Sequence, residues 1–95
     1  MGRTEVSFKN RDKFVQLGVA ISALRRLQGL SQEQLAEKAC ISRSHLSAIE
    51  APGIVRGLSL NTFYNLADAL NVDPSDLVLA SVLPEKMIGH DSYDK

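Results

Sequence analysis

Leu30-Ser31-Gln32-Glu33-Gln34-Leu35-Ala36-Glu37-Lys38-Ala39-Cys40-Ile41-Ser42-Arg43-Ser44-His45-Leu46-Ser47-Ala48-Ile49-Glu50 holds two helix-start signals eleven residues apart. Ser31 can accept a hydrogen bond from a free backbone N–H in the turn that follows it, which is the work of an N-cap. Leu35, Ala36 and Ala39 then recur at the three-to-four spacing of one buried helix face. After Cys40-Ile41 a second cap stands at Ser42, and Leu46, Ile49 and Glu50 repeat the spacing. The pattern predicts helices over 32–39 and 43–50 joined by a tight turn. Such a helix-turn-helix can place its second helix in a DNA major groove.

Upstream, residues 10–28 read as a longer helix. Asn10 is the candidate cap and Asp12 suits its positive end. Phe14, Leu17, Ile21, Leu24 and either Leu27 or Gln28 form its apolar stripe. Gly18 interrupts that stripe at a cost of up to about 1 kcal/mol against Ala, and its missing side chain would let another helix come close. Gly29 closes the helix in the left-handed conformation. Residues 1–9 lack a helical period; Thr4 to Phe8 alternate weakly, and a loose arm is favoured there over a strand.

Downstream, Pro52, Gly53 and Gly57 mark residues 51–58 as a loop. Ser59 caps a fourth helix with Leu60, Phe63, Leu66, Ala67 and Leu70 on its apolar face, and Asn71 can end it with a left-handed residue. Asp73-Pro74-Ser75-Asp76 starts a fifth over 74–82, with Asp73 as the cap, Pro74 in the first helical position and Asp76 placed for a capping box. Pro84 follows its end, and residues 84–95 read as a flexible polar tail. The expected fold is all-α: a compact five-helix domain over 10–83 with the helix-turn-helix at its second and third helices. Leu17, Ile21, Leu24, Leu35, Ala36, Leu46, Ile49, Phe63, Leu66, Ala67, Leu70 and Leu77 make its core.

The chain has 95 residues, enough for one modest core. With three Phe, two Tyr and no Trp, that core must be aliphatic. No apolar run approaches the ~18 residues of a membrane span, and the first residues lack a signal-peptide core. The single Cys40 has no internal disulfide partner, which fits a reducing cytoplasm. Net charge is zero, but it is polarised: residues 1–56 carry nine Lys/Arg against five Asp/Glu, and residues 57–95 carry two against six. One basic face and one acidic face would follow.

Catalytic patterns do not emerge. His45 and His90 are unclustered, and one Cys with two distant His residues makes no zinc site. Gly53 and Gly57 lack the Lys-Ser/Thr of a phosphate-binding loop, and Asp73 and Asp76 are better used as caps than as an acid–base pair. The expectation is a non-enzyme without cofactor or metal.

The five-helix pattern together with Leu30-Ser31-Gln32, Leu35-Ala36, Ile41-Ser42, Ser47, Ile49-Glu50, Leu66-Ala67, Ala69-Leu70 and Val72 resembles the Xre/Cro-like helix-turn-helix family of bacterial and phage repressors. The match covers about Phe14 to Leu79. Gln after the first cap and Ser-x-Ile-Glu at the end of the second helix are its more specific marks. Two positions depart from the family. Cys40 stands where Gly is usual, at a cost of ~1–2 kcal/mol if the left-handed angle is kept. Ala51-Pro52 opens a loop about two residues longer than usual.

The resemblance implies a sequence-specific DNA-binding regulator, usually a dimer. Arg43 would donate two bonds to guanine, Ser44 and Ser47 would bond to bases or phosphate, and the Ala48 methyl would pack on a thymine methyl. Gln32 is placed for a phosphate at the start of its helix. His45 lies beside this face, either on a phosphate or in solvent, and Arg56 is a loop candidate for phosphate or minor groove. An Arg near the end of the first helix often pairs with the Glu closing the third in this family, which makes Arg25–Glu50 the expected structural pair. Val78, Leu79, Val82 and Leu83 leave an apolar patch on the fifth helix that a second copy would cover, unless Val6-Ser7-Phe8 of the same chain does so.

The reading is therefore a cytoplasmic repressor binding a palindromic operator in double-stranded DNA as a homodimer. An antitoxin or restriction–modification controller could use the same domain. A protein-interaction module that has lost DNA binding is the alternative from another class.

Overall fold

The computed structural model describes residues 6–53 and 57–82. A 3-10 turn, Phe8–Asn10, leads into α1 (Arg11–Leu27), α2 (Gln32–Lys38), α3 (Arg43–Glu50) and α4 (Leu60–Ala69). Residues 74–82 form α5. No strand occurs among the described residues, and the architecture is the five-helix, all-α one that the periodicity predicts. Residues 1–5, Arg56, Leu83 and the expected tail 84–95 lie outside the described residues.

Serines set three of the helix starts. Ser31 Oγ accepts from the Gln34 N–H at 3.0 Å, and Gln34 Oε1 accepts from the Ser31 N–H at 2.8 Å, a complete capping box. Ser42 Oγ accepts from the His45 N–H at 3.0 Å and Ser59 Oγ from the Thr62 N–H at 3.1 Å. Asp73 Oδ1 accepts from the Ser75 N–H at 3.4 Å at the start of α5. Asn10 does not cap α1 as expected. Its backbone N–H already closes the 3-10 turn onto the Ser7 carbonyl, and its amide donates to Ser7 Oγ at 3.2 Å. A cap residue needs extended backbone; Asn10 has φ −103° and ψ 1° because the chain is turning before α1 begins.

The ends of α1, α2 and α4 share one device. Gly29, Cys40 and Asn71 all have positive φ, at 73°, 60° and 60°. In each case the residue after it donates back to the carbonyl five positions earlier: Leu30 to Arg25 at 3.0 Å, Ile41 to Ala36 at 3.0 Å and Val72 to Ala67 at 2.9 Å. These are Schellman ends, and their apolar follow-on residues turn inward. Leu30, Ile41 and Val72 pack against the core, although their positions lie outside any helical stripe. Cys40 thus keeps the angle that the family gives to Gly. Its strain of about 1–2 kcal/mol is offset by burying part of Ile41.

The fully buried side chains come from every helix: Ile21 in α1, Leu35 in α2, Leu46 in α3, Leu66 in α4 and Leu77 in α5, with Leu70 just beyond α4. Leu17, Ala36, Ile49 and Ala67 are buried with them, and Leu24 and Phe63 pack on the cluster from half-buried positions. The stripe of α1 ends one turn earlier than its periodicity suggests. Leu27 is 83% exposed. Gln28 holds that end of α1 instead, by donating from Nε2 to the Leu70 carbonyl at 2.7 Å. Leu60 likewise faces solvent, since the first turn of α4 projects past the core.

Candidate nucleic-acid interface

α3 divides cleanly into two faces. Leu46, Ile49 and Glu50 are buried; Arg43 and Ser44 are exposed, and His45, Ser47 and Ala48 are half-exposed. The inward residues fall three and four apart and therefore occupy one side of the helix. The outward set offers a guanidinium, two hydroxyls, an imidazole and a methyl, the groups that read base edges and phosphates. Ser44 Oγ lies 3.3 Å from Ser42 Oγ, so the cap also steadies a residue of this face.

A buried ion pair holds the other end of α3. Arg25 Nε donates to Glu50 Oε2 at 2.9 Å and its terminal nitrogen donates to Oε1 at 3.0 Å, a two-pronged bridge between α1 and α3. The remaining arm of the guanidinium donates to the Leu30 carbonyl at 2.7 Å, just ahead of the Ser31 cap. One side chain from α1 therefore fixes both the entry to α2 and the exit from α3. The expected pair is present, and it is buried rather than a surface contact. Gly18 allows it: a Cβ there would collide with the Ile49 carbonyl oxygen and lie 3.2 Å from the Ile49 carbonyl carbon. The close approach that Gly18 suggests is thus the approach of α3 to α1.

Gln32 carries a bond that its position alone does not reveal. Its Nε2 donates to Glu50 Oε1 at 3.0 Å, and the residue is half-buried. The buried network accordingly includes the residue expected at a phosphate. Gln32 follows one cap and Glu50 ends the next helix, but their bond depends on how α2 and α3 cross. Arg56 lies outside the described residues, so the structure does not place it against the others. Among the described residues no three His, Cys, Asp or Glu side chains gather to hold a metal ion, and no helix is long and apolar enough to cross a membrane.

A helix-turn-helix family model matches residues 21–77, from the middle of α1 into α5. No curated protein sequence matches the chain significantly. Among solved structures, the restriction-modification controller protein C.AhdI from Aeromonas hydrophila is similar, with 36% identity and a TM-score of 0.63 over 67% of this chain and 94% of that one. A hypothetical transcription factor, NHTF, from Neisseria is 26% identical, with a TM-score of 0.66 over 88% and 91% of the two chains. The restriction-modification controller protein C.Esp1396I shares the fold at 23% identity, with a TM-score of 0.65 over 83% and 99%. Matched by the family model over residues 21–77, and with the motif of residues 30–50 folded as two capped helices, the chain belongs to the Xre/Cro-like helix-turn-helix family and is a DNA-binding regulator of transcription.

Proposed function

We propose that this chain is a cytoplasmic repressor that reads a palindromic operator as a homodimer, without catalytic activity. The outward face of α3 carries the reading: Arg43 and Ser44 stand in solvent on a helix whose other side is locked by Leu46, Ile49 and Glu50. Arg43, at the start of α3, has the two-pronged donor geometry that fits guanine O6 and N7. Ser44 and Ser47 bond to bases or phosphate, Ala48 packs on a thymine methyl, Gln32 and His45 bind phosphate, and Arg56 binds phosphate or enters the minor groove. The test is to select bound sequences from a random DNA pool and repeat the selection with Arg43→Ala. The variant should bind the selected site ~1–3 kcal/mol more weakly and lose preference at one position per half-site. An unchanged base preference would remove Arg43 from the readout.

The dimer is assigned to α5. Leu77 is buried in the chain's own core, whereas Val78 is 52% and Leu79 44% exposed on the same helix. Phe8, from the segment that could have covered them, is itself 88% exposed. A two-fold partner presenting the same patch buries it on both copies. It would also set the two α3 helices about one DNA turn, ~34 Å, apart. Val78→Asp combined with Val82→Asp should convert a sedimenting dimer to a folded monomer. A wild type that is monomeric at micromolar concentration, or a double variant that stays a dimer, rules this interface out. A restriction–modification controller role is a special case of the same DNA reading, supported by the likeness to C.AhdI and decided by the neighbouring gene.

A further inference from the structure

We infer that Glu50 is a positioning residue for DNA binding, acting through the side-chain amide of Gln32; this rests on the reading of Gln32 as a phosphate contact. Glu50 Oε1 is shared by Arg25, at 3.0 Å, and Gln32 Nε2, also at 3.0 Å. A carboxylate only accepts, so the amide must turn its nitrogen and not its oxygen toward Glu50. An amide nitrogen has two N–H groups. One is spent on Glu50, and the other stays on the same fixed nitrogen as a donor for a phosphate oxygen.

Without the carboxylate, the amide can rotate and present its oxygen, which repels phosphate. Arg25 makes the arrangement tolerable electrostatically. Its bidentate bridge neutralises Glu50, so the carboxylate can orient Gln32 beside DNA without an uncompensated negative charge. The network therefore joins the exit of α3 to the first residue of α2 and makes a phosphate contact on one helix depend on the last residue of the other.

The prediction is non-additivity. On a labelled pool of random-sequence duplex DNA at low salt, Gln32→Ala should weaken binding by about tenfold, the worth of one hydrogen bond to an anion. The salt slope should not change, because Gln releases no counterion. Replacing the whole pair, Arg25→Met with Glu50→Leu, removes the acceptor without leaving a buried charge; it should cost a similar factor in the otherwise wild-type background and almost nothing further in the Gln32→Ala background. A purely structural or purely electrostatic role for Glu50 predicts the same factor in both backgrounds, and that result overturns the inference.

A DNA-independent readout accompanies it. In the free protein, one Gln32 side-chain amide proton should lie downfield of the range of exposed Gln amides, as a donor to a carboxylate does, and return to that range in the Arg25→Met, Glu50→Leu variant; a wild-type pair already within the exposed range also overturns it. If Gln32→Ala leaves binding unchanged while Arg43→Ala weakens it, this inference fails and the reading of α3 stands. If no variant affects binding, the proposed function fails as well.

Discussion

Arg25→Ala is expected to lower the stability of the domain by about 3–5 kcal/mol, the range found when one partner of a buried ion pair is removed. Three bonds go at once: both prongs to Glu50 and the 2.7 Å bond to the Leu30 carbonyl. Glu50 then stays in the core with Gln32 as its remaining side-chain donor among these contacts. A carboxylate accepting one neutral bond does not recover its lost hydration. In a domain of this size 1 kcal/mol is worth about 4–8 °C of melting temperature, so thermal unfolding followed by circular dichroism should show a fall of at least about 12 °C. A loss under about 1 kcal/mol would mean that the pair behaves as an exposed one. Arg25→Met together with Glu50→Leu is the complementary variant. Removing both charges leaves no orphan, and such replacements are often neutral or stabilising. The double variant should therefore melt well above Arg25→Ala while losing the bond that orients Gln32.

Where the sequence was legible, one short-range mechanism set the structure. Ser31, Ser42 and Ser59 are caps because a hydroxyl needs only the next turn to complete its bond. The bounds of α3 follow from Ser42 before it and the extended backbone at Ala51, ahead of Pro52, after it. The misreadings arose where two local signals competed or the partner was distant. Asn10 is a good cap residue in isolation, yet the turn through Ser7 had already taken its backbone. Leu27 continues the period of α1, but nothing in that period says where the core stops. The inward turn of Leu30, Ile41 and Val72 belongs to helix ends rather than to helix faces, so a search for stripes passes over them. In the candidate site, the exposed face of α3 was readable from spacing. The Gln32–Glu50 bond spans 18 positions and depends on how α2 and α3 cross, which no local pattern encodes.

Gly18→Ala should be destabilising by about 2 kcal/mol or more, although Ala is the better helix former by up to about 1 kcal/mol. The added methyl would run into the Ile49 carbonyl oxygen, with the Ile49 carbonyl carbon at 3.2 Å and Glu50 Cα at 3.5 Å. All three are backbone atoms, so no change of rotamer relieves the clash. α3 has to withdraw from α1. That movement acts directly on Ile49 and Glu50, stretches the 2.9 Å and 3.0 Å bonds from Arg25, and displaces the outward-facing residues on the same short helix. Gly18→Ala should therefore lose DNA affinity as well as stability. Two other glycines separate the causes. Gly29 has φ +73° with open space around its Cβ position, so Gly29→Ala should cost only the backbone strain of about 1–2 kcal/mol and leave α3 in place. Gly53 has neither a neighbour within 4 Å nor a left-handed angle, and Gly53→Ala should change stability by less than about 0.5 kcal/mol. Urea unfolding of the three variants, with DNA binding measured on each, should give the order Gly18, Gly29, Gly53 for stability, with the loss of DNA affinity confined to the first. A Gly18→Ala protein as stable as the wild type would show that α1 and α3 do not meet backbone to backbone at this crossing.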